Sequence, residues 1–96
     1  MTALTVVATI VAKPGTEATV EQALLELVAP TRKEAGFIQF DLHRDLEKPN
    51  VFVFFENWES KALLDQHLES KHIAAYLARV DGMIENWDLK LMNKIS

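Results

Sequence analysis

Apolar and polar positions along this chain switch between a period of two and a period near 3.6, and the switches mark six elements. Leu4 to Ala12 is rich in β-branched residues (Val6, Val7, Ile10, Val11) and ends at Lys13-Pro14-Gly15, which predicts a strand closed by a turn. Thr16 is placed as an N-cap, with Glu17 in a first turn where the helix dipole favours an acid. Val20, Ala23, Leu24, Leu27 and Val28 then form one helical stripe, interrupted at Pro30. Thr31 to Glu34 fits a capping box for one further turn, which Gly36 closes. From Phe37 to Arg44 the chain alternates, with Ile38, Phe40 and Leu42 on one side and Gln39, Asp41 and His43 on the other. Lys48-Pro49-Asn50 turns into a second run, Val51 to Trp58. Ser60 caps a helix carrying Leu63, Leu64, His67 and Leu68, and Ser70 re-caps it after a kink. Ile73, Tyr76, Leu77 and Val80 continue its inward face, Gly82 allows a break, and Trp87 to Ile95 reads as the last strand.

The order βαββαβ in a chain of this size predicts an α+β, ferredoxin-like split βαβ fold, with an antiparallel sheet covered on one face by helices. The strands do not fit a sheet that is wet on its other face. Val51 to Phe55 is apolar on both sides, and Val7 and Val11 oppose Val6 and Ile10. A half-buried antiparallel strand should alternate apolar and polar residues. The simplest cover for the second face is a second copy of the same sheet, so a two-fold homodimer is expected.

Composition narrows the function. The 96 residues suffice for a single domain and carry a net charge of −4, with no cluster of Lys and Arg to meet a nucleic-acid backbone. The absence of cysteine excludes disulfides, thiolate chemistry and cysteine-ligated metal. No leader or membrane-length apolar run is seen, and a cytoplasmic location is expected. The three glycines form neither a GxGxxG nor a P-loop pattern, so no dinucleotide or nucleoside triphosphate is expected.

The residues with chemical capacity gather near Trp58. Glu56 and Trp58 share a strand face with Phe54, and His67 lies in an apolar helical stripe that would meet that face. A carboxyl buried among aromatics has a raised pKa unless it is paired, and the imidazole is the evident pair. Such a couple could move a proton near neutral pH, with Trp58, Phe54 and Tyr76 walling an aromatic ligand. The alternative is that Glu56 and His67 only satisfy each other in the core. His72 either reaches the same pocket or sits solvated near a helix start. Asp41 and His43 read as an exposed edge or a cross-dimer hydrogen bond. Asn57 should face away from Glu56 on a regular strand. No metal is expected, because His67 and His72 are five apart, off one helical face, and unsupported by an HExxH motif.

Lys13-Pro14-Gly15, Pro30-Thr31-Arg32 with Glu34 and Gly36, Phe40 to Asp45, Glu56-Asn57-Trp58-Glu59-Ser60 and Leu64…His67…Ser70-Lys71-His72 together resemble the antibiotic biosynthesis monooxygenase family, nearest its quinol-monooxygenase-like members. The resemblance covers residues 1–96 as one domain. It implies a dimeric α+β barrel and, for characterised members, oxidation of phenolic or quinol-type aromatics by O₂ without flavin, metal or haem. On that reading His67 is the base, Glu56 orients it, and Trp58, Phe54 and Tyr76 hold the ring, with His72 and Asn57 as further contacts. Haem-degrading relatives carry a ligating histidine late in the second helix; here Tyr76 and Leu77 stand there and no histidine follows His72. Other relatives isomerise small phosphorylated molecules, which would need Arg32, Arg44 or Arg79 in the pocket. A non-catalytic binding module is the third alternative.

Overall fold

The computed structural model describes residues 3–96. Its elements run β1 (Leu4–Ala12), α1 (Glu17–Leu25), α2 (Val28–Thr31), β2 (Phe37–Arg44), β3 (Val51–Trp58), α3 (Lys61–Leu68), α4 (Lys71–Arg79) and β4 (Ile84–Asn93). The four strands form one antiparallel sheet in the order β2-β3-β1-β4, so the β1–α1–α2–β2 and β3–α3–α4–β4 halves interleave as the pattern predicts. All the helices lie on one face, giving a two-layer slab only 18 Å along its shortest axis.

The core between the layers follows from the alternation. Val6 and Ile10 of β1, Phe52, Phe54 and Trp58 of β3, and Phe40 of β2 point inward and are buried. Val20, Ala23, Leu24 and Leu27 from the first helical segment and Leu64 of α3 close over them. Phe40 and Phe54 stack across the β2–β3 ladder with centroids 4.3 Å apart. Ser60 and Ser70 cap α3 and α4 as their sequence positions predict, accepting hydrogen bonds from the amides of Leu63 and Ile73 at 3.2 and 3.4 Å.

Four local expectations are revised. Thr16 does not cap α1 with its side chain; its hydroxyl donates to the carbonyls of Lys13 and Met83 and ties the β1 turn to the start of β4. Pro30 sits inside the single turn α2, and the side chain of Glu34 leaves the backbone to meet two histidines instead of closing a capping box. The β2–β3 register shifts between Phe37 and Gln39, and Ile38 stays half exposed rather than joining Phe40 and Leu42 inside. The last strand starts at Ile84 rather than Trp87 and ends at Asn93 rather than Ile95, because a bulge at Val11/Ala12 brings Ile84 into pairing with Ala12.

Two features matter for the site. α4 has a strongly one-sided distribution of apolar residues, yet none of them is fully buried. It stands off the sheet, and the gap beneath it is a cavity. Among the described residues the sheet's other face, carrying Val7, Val11, Val51, Val53, Phe55 and Met92, has no helix over it and leaves Phe55 37% exposed.

Candidate functional site

The cavity under α4 has a volume of about 810 Å³, within the range usual for small-molecule sites (~300–1,000 Å³). Its floor is the sheet, through Ala8, Ile10, Phe54 and Leu89, and Ile73, Tyr76 and Leu77 of α4 roof it. Most of this lining is apolar. Glu56 and His67 are its buried ionisable side chains, and Tyr76 adds a hydroxyl whose pKa burial pushes up to about 12, so it remains a hydrogen-bond donor.

Glu56 points inward because it is two residues from Phe54 and two from Trp58 on β3. It is 4% exposed, and its Oε1 accepts a 2.8 Å hydrogen bond from the Trp58 indole. Burial raises its pKa from 4.5 to about 7, against the lowering effect of the indole and with help from the nearby Glu34 charge. A carboxyl of this kind keeps a proton at pH values where an exposed glutamate is ionised.

His67 lies in the last turn of α3 and is 2% exposed. The Phe40 ring meets it edge-on and the Trp58 ring lies tilted against it at 4.7 Å. Its partner is not Glu56. His67 Nδ1 lies 2.6 Å from Oε2 of Glu34, and the same oxygen lies 3.0 Å from Nε2 of His72. One carboxylate oxygen thus joins two imidazoles. With Glu34 ionised, each ring donates to it, which fixes the neutral tautomer of His67 with its hydrogen on Nδ1 and its lone pair on Nε2. Burial lowers the pKa of His67, with the Glu34 hydrogen bond and charge acting in the opposite sense.

Glu34 was missed in the sequence because it falls in a short turn between Pro30 and Gly36 and reads as a capping residue. Three backbone bonds set it: its own amide donates to the carbonyl of Thr31, the Phe37 amide donates to its carbonyl, and the Glu59 amide donates to the carbonyl of Gly36, locking the turn to the end of β3. A carboxylate two residues before Gly36 and three before the strand that starts at Phe37 was the available signal, and it carries no periodicity.

The remaining expected residues divide. Phe54 and Tyr76 line the cavity. Trp58 is 0% exposed and backs Glu56 and His67 instead of forming the wall. His72, 22% exposed, is neither a plain surface residue nor a wall residue but the outer member of the Glu34 cluster. Asn57 faces the helix-free side of the sheet, where it accepts from the Thr5 hydroxyl at 2.6 Å and donates to Gln39 at 2.8 Å. Asp41 pairs with Arg32 and Gln39 on that β2 edge. Glu34, His67 and His72 bring three potential ligand atoms within 4.8 Å of one another, a convergence that the spacing of the two histidines alone does not reveal.

The family model described as "Antibiotic biosynthesis monooxygenase" matches residues 3–79. The crystal structure of PA3566 from Pseudomonas aeruginosa is 33% identical and superposes with a TM-score of 0.96, covering 100% of this chain and 97% of that one. A crystal structure titled as an antibiotic biosynthesis monooxygenase is 30% identical with a TM-score of 0.90, over 97% and 99% of the two chains. A Bacillus subtilis protein named "Putative monooxygenase YcnE" is 34% identical over 55% of this chain and 56% of its own length. The match to a Synechocystis protein, sll1783, spans 59% of this chain and 39% of that relative.

Proposed function

The chain belongs to the antibiotic biosynthesis monooxygenase family, and on that premise we propose that it oxidises a phenolic or quinol-type aromatic with O₂ at the cavity beneath α4. The observation that carries this reading is one buried imidazole set against an apolar cavity, its Nδ1 bonded to Glu34 and its Nε2 free of hydrogen-bond partners among the described residues. His67 Nε2 is the base and Glu34, not Glu56, orients it. Phe54 and Tyr76 hold the ring, and Glu56 supplies a second proton site on the cavity floor.

The chemistry needs little else from the protein. Removal of a phenolic or benzylic proton leaves an electron-rich carbanion–phenolate, which reduces O₂ and combines with it to a hydroperoxide. For an anthrone-type CH₂, loss of the second C–H proton and cleavage of the O–O bond give C=O and water. The carbon loses four electrons, and O₂ becomes one carbonyl oxygen and one water. A largely apolar lining favours this by limiting bulk water around the anion.

The phosphorylated-substrate alternative lacks an anchor. Arg32 bonds the Phe40 carbonyl and Asp41, Arg44 pairs with Glu21, and Arg79 pairs with Glu26. Among the described residues the cavity lining contains no Lys or Arg, and it contains Asp81 and Glu85 beside Glu56. A dianion would meet acids there.

The same reading includes a homodimer with the helix-free sheet faces packed together. The test of activity is O₂ uptake by purified protein against anthrones, naphthols and hydroquinones, with a no-protein blank and His67→Phe alongside. Uptake above blank in the wild type, lost in a variant that stays folded, is the expected result. Equal uptake by both proteins would remove His67 from the reaction, and silence of the wild type across the panel would favour a binding module.

A further inference from the structure

We infer that Glu34, His67 and His72 form a binding site for a divalent first-row transition ion such as Zn²⁺. The three side chains come from three separate elements, the turn before β2, α3 and α4, and converge on one point. Oε2 of Glu34 lies 2.6 Å from His67 Nδ1 and 3.0 Å from His72 Nε2. A tetrahedral ion with bonds of about 2.1 Å holds its ligands roughly 3.4 Å apart, so the Glu34 oxygen has to draw back from both rings by under about 1 Å while the two imidazole nitrogens, within 4.8 Å of one another, come to that spacing. Two imidazoles and one carboxylate are a familiar zinc donor set, and they suit nickel, cobalt or iron better than magnesium or calcium, which prefer all-oxygen cages.

The surroundings favour a defined site over a chance surface cluster. His67 is 2% exposed and held by Trp58 and Phe40, while Glu34 and His72, with side chains 18% and 22% exposed, leave a path for the ion and a position for water. The ion would take the place of the two hydrogens that Glu34 now accepts. Its consequence for the reaction follows from the geometry: with Nδ1 on the metal, the neutral imidazole carries its hydrogen on Nε2, so the cavity meets a donor where a base is needed. Metal occupancy and base catalysis are therefore alternative states of the same three side chains, and the ion is an inhibitor. This inhibitory role rests on the function proposed above, whereas the binding does not.

The test is a Zn²⁺ titration of untagged, metal-free protein in competition with a chromophoric chelator. The expected result is one ion per chain with a dissociation constant on the order of 10⁻⁶ M or tighter, unaffected by excess Mg²⁺. Glu34→Gln and His72→Ala should each weaken it at least about tenfold, and His43→Ala, on the opposite sheet face, should leave it unchanged. His72 is the least buried ligand, so its variant reports on binding even if changes at the buried positions disturb folding, which melting curves of the metal-free proteins would reveal. No saturable binding, equal binding by wild type and His72→Ala, or loss of binding in His43→Ala would each overturn the site. Where O₂ uptake is detected, Zn²⁺ should abolish it and a chelator restore it; where none is detected, the titration still decides.

Discussion

At the scale of single residues, Glu56 is the most informative side chain. Its pKa is about 7 in the folded protein against 4.5 as an ordinary glutamate, so between those pH values the folded chain binds a proton that the unfolded chain has lost. Stability contributed by this group is present below about pH 4.5, falls as pH rises through the interval, and is lost above about pH 7. A shift of this size corresponds to about 3 kcal/mol. Glu56→Gln keeps an acceptor for the Trp58 indole and removes the charge. The variant should match the wild type near pH 4 and exceed it by up to about 3 kcal/mol at pH 8. Urea denaturation of both proteins at the two pH values checks this, and equal stabilities at pH 8 would show that the cavity hydrates the carboxylate.

At the scale of elements, the site depends on a turn and a cap more than on regular structure. Gly36 has φ +83, and a Cβ there would overlap the side chain of Leu63 on α3. Gly36→Ala therefore combines a left-handed backbone with a collision between the turn bearing Glu34 and the helix bearing His67. It should lose about 2–4 kcal/mol. Gly82 has a similar φ of +78 but open space around it, and Gly82→Ala should lose only about 1 kcal/mol. Chemical denaturation of the pair separates collision from backbone strain. α4 makes the complementary point. Its amphipathic pattern predicts a buried stripe, but no α4 residue is fully buried because Ile73, Tyr76 and Leu77 face the cavity and not the sheet.

At the scale of the molecule, one face of the sheet is bare of helices among the described residues. Val7, Val11, Val51, Val53 and Phe55 lie there, flanked by polar Thr5, Asn57 and Asp41. A polar rim around apolar strands is the anatomy of an interface. Val53→Lys would place a charge in the middle of this face, between Thr9 on β1 and His43 on β2. Sedimentation equilibrium should find the wild type as a dimer and Val53→Lys as a folded monomer. A monomeric wild type at micromolar concentration would sink the packing argument. Among the described residues no helix is long and apolar enough to cross a membrane.

Much of this was legible in the sequence because periodicity is a local property. The spans of β1, β2 and β3, the serine caps of α3 and α4, and the inward set Phe54, Glu56 and His67 follow from spacing and turn chemistry within a few residues. The resemblance carried by the Glu56 to Ser60 segment and His67 led to the family that the comparisons show. What the tertiary structure decided is which partner each buried group meets. Glu56 and His67 were expected to pair, since they were the nearest titratable groups on facing elements. The fold instead gives Glu56 to Trp58 and gives His67 to Glu34, 33 positions away. Hydrogen bonding between side chains so distant in sequence depends on how a turn docks against a helix, and no local pattern encodes that docking. The cavity has the same origin: it is the space left because α4 stands clear of the sheet.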